Sequence, residues 1–119
     1  MDKFELNGVE VEYDAFDADT AGAMEAMRKD ITKAGETVKN LKGDTSKMTV
    51  ATLCQAVKKG LDGVFGEGMG EKICGKKHNM LICADVYGAL LLEDERQAET
   101  IKENPNVQHL LGLVEKAKE

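Results

Sequence analysis

The sequence predicts an α+β fold that is mainly α, with an N-terminal β-hairpin packed on a bundle of about four helices. Three observations carry this reading. Residues 3–13 alternate apolar and polar around Asn7-Gly8. Beyond them, apolar residues recur at spacings of three and four, the helical period. The chain also has one proline and many Ala, Glu, Lys, Met and Leu residues, which favours helix. At 119 residues it is the size of one domain, and 42% hydrophobic with 32% charged residues suits a soluble folded chain.

In the hairpin, Phe4, Leu6, Val9, Val11 and Tyr13 form the apolar set, and Asn-Gly supplies the positive φ angles of a two-residue turn. An isolated hairpin is marginally stable, so this apolar side should lie on helices. A first helix over 20–42 has candidate caps in Asp17, Asp19 and Thr20 and stops before Gly43. Along it Met24, Met27, Ile31, Ala34, Val38 and Leu41 make a narrow seam. Two readings stay open: ordinary core packing, or an adaptable surface for hydrophobic partners built on unbranched thioethers.

After the turn at 43–46, a second helix over 47–65 carries a wider face, from Met48 and Val50 through Leu53, Cys54, Val57, Leu61, Val64 and Phe65, and should enter the core. A glycine-rich corner follows at 66–78. Gly66, Gly68 and Gly75 permit a tight reversal, with Phe65 and Ile73 pinning it. A short helical turn over Glu71–Cys74 should stop at a left-handed Gly75. Asn79 caps a helix over 79–103 that is apolar on almost every side as far as Leu92 and polar afterwards, so it should start buried and finish in water. Asn104-Pro105 opens a last helix over 105–118, whose strip includes Leu110, Leu111 and Val114. The first-helix seam and this strip are the candidate protein-binding surfaces.

Charge and motifs narrow the function classes. The net charge of −6 opposes nucleic-acid binding. The first nineteen residues hold seven carboxylates against Lys3 alone, a solvated face or a contact for a basic partner. No apolar run approaches the roughly 20 residues of a membrane span, and no secretory pattern opens the chain, so a cytoplasmic location is predicted. Three cysteines without paired spacing predict reduced thiols.

The segment Gly70–Lys77, GEKICGKK, matches a phosphate loop except that Lys77 replaces the hydroxyl residue that ligates Mg²⁺. It also lacks a preceding strand. Neighbouring GEGMGE fails the dinucleotide fingerprint by the spacing of its third glycine. Cys74, His78 and Cys83 lack the close cysteine pairs of structural zinc sites, and Cys74 with His78 is the only local nucleophile-base pair. Asp85, alone in an apolar segment, is read either as a functional acid or as a partner for free N–H groups of the corner; the second is favoured. No cofactor, metal or small-molecule substrate is predicted.

Gly60–Leu91 resembles a segment of small phage and prophage tail-module proteins of Gram-positive hosts. Asp62, Val64, Phe65, Gly66, Glu67, Gly68, Glu71, Lys72, Ile73, Gly75, Asn79, Cys83, Asp85 and Tyr87 carry the likeness, together with the opening FELNGVEVEYD. Met69-Gly70, Lys76-Lys77-His78 and the segment from Pro105 to Lys118 depart from that pattern. The resemblance implies a tail assembly chaperone-like role in the host cytoplasm: a non-enzymatic protein that self-associates and shields apolar helices of the tape measure protein. A structural tail or tail-completion protein forming an oligomeric ring is the alternative it implies.

Overall fold

The computed structural model describes residues 2–43 and 45–112. Two antiparallel strands, β1 (Asp2–Leu6) and β2 (Val9–Tyr13), precede five helices: α1 (Ala18–Lys39), α2 (Ser46–Phe65), α3 (Met69–Cys74), α4 (Met80–Lys102) and α5 (Pro105–Leu110). The fold is thus α+β and mainly α, with the hairpin lying on the helices.

Asn7 and Gly8 both take positive φ, 51° and 81°, so the turn matches the twist of the strands. The register sets Phe4 against Val11 and Leu6 against Val9, which gathers the apolar residues on one face. Leu6, Val11 and Tyr13 are buried. On the other face Lys3 pairs with Glu12 at 3.7 Å, an exposed contact worth little.

Asp17 caps α1, its side chain accepting from the Thr20 N–H at 3.1 Å. The helix ends at Lys39 and Asn40 closes it, so Leu41 falls beyond the predicted helical stripe. α1 packs chiefly on α2. Met27 lies against Gly60, where an added Cβ would come within 2.2 Å of the Met27 Cγ, and Asp30 faces Lys59. Ile31 points toward Leu53 and Val57, earlier in α2, so the two helices run antiparallel.

The seam is therefore internal. Met24 and Met27 are 1% exposed, Ala34 is buried, and Ile31, Val38 and Leu41 are half-buried. The partner-surface reading of Met24 and Met27 is corrected: a stripe this narrow needs one neighbouring helix, and α2 supplies it.

Past Phe65 the chain reverses and α3 carries it back along α2. Lys58 then donates to the Gly75 and Lys77 carbonyls at 2.7 and 2.9 Å, seven residues before the end of α2. α4 consequently starts beside the first half of α2, with Cys83 reaching Cys54. Leu61, Ile73, Cys83, Val86 and Leu90 join the hairpin residues in one core; full burial of such a side chain is worth about 1.5–3 kcal/mol.

The expectation that α4 starts buried and finishes in water is also corrected: Gln97 in its polar half is buried. Cys83, Val86 and Leu90 face inward, whereas Leu81 is 70% and Leu92 68% exposed. α5 ends at Leu110, and Leu111-Gly112 turn with Gly112 at φ 74°, so the predicted helix to 118 is interrupted. Val114 lies outside the described residues.

The molecule measures 63 × 31 × 20 Å with a radius of gyration of 17.4 Å. A compact chain of this length would have a radius near 13–14 Å. The 23-residue α4 alone spans about 34 Å at about 1.5 Å per residue.

Candidate functional site

The glycine-rich corner spends several of its backbone N–H groups within the fold. Gly70 sits so close to α2 that an added Cβ would meet the Lys58 carbonyl oxygen at 2.2 Å. Its N–H donates to Asp62 Oδ1 at 2.7 Å. The N–H groups of Met69, Lys72 and Gly75 donate to the carbonyls of Gly66, Gly68 and Glu71. A phosphate cradle requires such N–H groups to be unspent.

Asn7 of the hairpin turn donates to the Ile73 carbonyl at 2.8 Å, which fastens hairpin and corner together. Phe65 is half-buried, its ring 6.2 Å from that of Tyr13, while Ile73 is buried. Gly66, Gly68 and Gly75 take φ of 121°, 87° and 91°, conformations that a side chain would strain. Gly75 is not the left-handed helical stop predicted, since its ψ of 166° sends the chain on extended. Asn79 caps α4 through the Ile82 N–H at 3.1 Å.

Asp85 is exposed, and the role proposed for it at the corner belongs to Asp62. The return of α3 along α2 brings the corner over Asp62, one turn before the end of α2, and leaves Asp85 on the outer side of α4.

Cys54, Cys74 and Cys83 are free, buried thiols contributed by α2, α3 and α4. They lie close together, with Cys83 influencing both of the others. Burial pushes all three up, Cys54 to about 11. That is the opposite of what activates a nucleophile. Cys74 is buried, with Cys83 and Lys58 rather than His78 among the groups acting on its thiol, and His78 is exposed, so the structure gives no support to the candidate nucleophile-base pair. Among the described residues no three His, Cys, Asp or Glu are grouped to hold a metal ion, and every buried side-chain nitrogen or oxygen has a partner.

The polar half of α4 holds a feature that sequence reasoning missed. Gln97 is 3% exposed. Its Oε1 accepts from the Ala15 N–H at 2.7 Å, and its Nε2 donates to the Tyr13 carbonyl and to Glu93 Oε2, each at 2.8 Å. The Tyr13 hydroxyl donates to Asp94 at 2.6 Å, and Arg28 of α1 reaches the other Asp94 oxygen at 3.0 Å. Arg96 grips Glu93 through two bonds, which with the Gln97 bond holds that carboxyl below its usual range against the effect of burial. Burial and then the Asp94 bond push the Tyr13 phenol well up. These side chains fasten the end of the hairpin to α4. An EDERQ string at helical spacing carries no signal separating a clamp from a solvated face.

One feature remains open. α1, α2 and α4 leave an apolar groove of about 200 Å³ between them. Ile31 contributes from α1; Leu53, Cys54 and Val57 form the α2 part; Met80, Cys83, Ala84 and Tyr87 line it from α4. The partly exposed Met80 and the highly exposed Leu81 and Met48 add apolar surface on the same helices. Of the predicted binding strip at the far end, Leu110 and Leu111 are 84% and 64% exposed. Ile31 is thus the seam residue with a place in the open surface.

The chain belongs to a family of unknown function, DUF6673, which it matches over residues 7–116. No curated protein and no solved structure matches it. Among the described residues no helix is long and apolar enough to cross a membrane.

Proposed function

We propose that this protein is a tail assembly chaperone-like binding protein, which shields apolar helical segments of a phage tape measure protein until the tail encloses them. The observation that carries the reading is the groove between α1, α2 and α4. Its lining is apolar, it opens to solvent, and its rims come from helices fixed by the core. An amphipathic helix laid across such a groove inserts the side chains of its apolar stripe. The flexible thioether of Met80 at the rim suits clients of varied sequence.

The tail-module assignment is supported by the resemblance of Gly60–Leu91 and of the opening hairpin. The mechanism is reversible burial, with the client released when the growing tail offers a larger apolar surface. It uses no nucleotide, metal or bond-making step, and its setting is the host cytoplasm.

The test is co-purification with apolar helical fragments of a phage tape measure protein. The wild-type chain should capture apolar helical fragments; Met80→Asp and Ala84→Trp, which charge and fill the groove, should not. Capture that survives both substitutions would remove the groove from the account. The exposed Leu110-Leu111 strip favours a second reading, a structural tail component forming an oligomeric ring. Purified virions separate the two, since a ring component stays in them and a chaperone does not.

A further inference from the structure

Two of the apolar surfaces that the fold leaves open lie at opposite ends of α4. Leu110 and Leu111 follow Lys102, whereas the groove is centred near Ala84, roughly 27 Å back along the helix at about 1.5 Å per residue. α5 is held at the far end by contact with α4 and by Gln108, which donates to the Lys102 carbonyl at 2.8 Å. Leu110 and Leu111 therefore do not fill the groove of their own chain.

The surroundings of the two ends differ in charge. Exposed Lys76 and Lys77 precede the groove's first α4 residue, and Lys47 lies with His78 at the adjoining start of α2. Exposed Glu95, Glu99 and Glu103 lie on the last turns of α4 and its end, before α5, against exposed Arg96, which pairs with Glu93, and Lys102, which pairs with Glu99 at 3.4 Å. Asp85 is the acidic exception beside the groove.

From these observations we infer that the groove takes the Leu110-Leu111 strip of a second copy of this chain, joining the protein head to tail. Apolar side chains enter an apolar groove, and the carboxylates around α5 meet the lysines around the groove mouth. Such a contact is heterologous: each copy uses a different surface and keeps one of each kind free, so the chain of contacts closes into a ring or continues as a filament. A patch this small binds weakly and exchanges fast. The inference stands apart from the client reading, because it involves the protein alone; where both hold, a client helix and the strip of a neighbouring copy compete for one groove.

Sedimentation velocity on the full chain, without any client, tests it. The wild-type sedimentation coefficient should rise with concentration and fall back as salt is added, because screening weakens the charge contact. Leu110→Asp/Leu111→Asp removes the strip and Ala84→Trp fills the groove; each alone should weaken association at least about tenfold. An equimolar mixture of these two variants should form a dimer and nothing larger, because one retains only the groove and the other only the strip. Lys76→Glu/Lys77→Glu, at exposed side chains, serves as a second groove-end variant should Ala84→Trp fail to fold, as judged by circular dichroism. A wild-type chain that stays monomeric at every concentration would overturn the inference. So would association that both variants retain, or a mixture that stays monomeric.

Discussion

α1 and the first half of α4 both carry apolar residues at helical spacing, and the fold treats them in opposite ways. The α1 seam is one stripe wide, and α2 covers it until Met24 and Met27 are 1% exposed. The first half of α4 is apolar on nearly every side but meets neighbours on one side alone. Cys83, Val86 and Leu90 enter the core while Leu81 and Leu92 remain in water. Burial follows the number of neighbours available as well as the hydrophobicity of the stripe. The comparison teaches that a narrow stripe satisfied by a neighbouring helix is structural, and that apolar surface in excess of the available neighbours is left exposed, where the proposed binding site is drawn.

Charging the two helices should break the symmetry most sharply. Met27→Asp buries a carboxylate between α1 and α2, and is expected to cost more than about 4 kcal/mol or abolish folding, measured by denaturant unfolding. Gly70→Ala should follow, at about 2 kcal/mol or more, since the obstacle is the Lys58 backbone and cannot swing away. Gln97→Ala leaves the Ala15 N–H and the Tyr13 carbonyl without their partner, and should cost about 1–3 kcal/mol.

Alkaline pH should act next. The buried Cys54 thiol is held up from 9.0 to about 11. The unfolded chain therefore gives up this proton first, and the contribution is present in full below pH 9 and lost as pH rises from 9 through about 11. The Tyr13 phenol, also raised, works in the same direction above its ordinary value of 10.0. The thermal midpoint should fall over this range, and less steeply in Cys54→Ala, measured relative to that variant's own midpoint at pH 8. The smallest effect is expected at Leu81→Asp, within about 0.5 kcal/mol of wild type, because the residue is 70% exposed. A large loss of stability there would mean that α4 has no spare apolar face.

Legibility in the sequence followed how local each determinant is. Asn7-Gly8, Asp17, Asn79 and Asn104-Pro105 act within a few residues, and their turns and caps lie where the spacing put them. The corner was readable as a reversal but not in its fastening. Asp62 rather than Asp85 takes the Gly70 N–H because α3 doubles back along α2, a tertiary event that one-dimensional spacing does not encode. Gln97 was hidden for the same reason, since its partners lie more than 80 residues earlier. The groove was beyond reach altogether, because it is the space that three helices leave, and Ile31 looked like any other member of the seam.

The central claim is that this groove is where an apolar helix is held. Its most direct test is a titration followed by methyl NMR, in which an amphipathic peptide from the tape measure protein is added to the chain. The account predicts saturable shifts at Ile31, Leu53 and Val57, absent in Ala84→Trp and small at the buried Met24 and Leu61. Saturable binding that leaves these three methyl groups unmoved would contradict it.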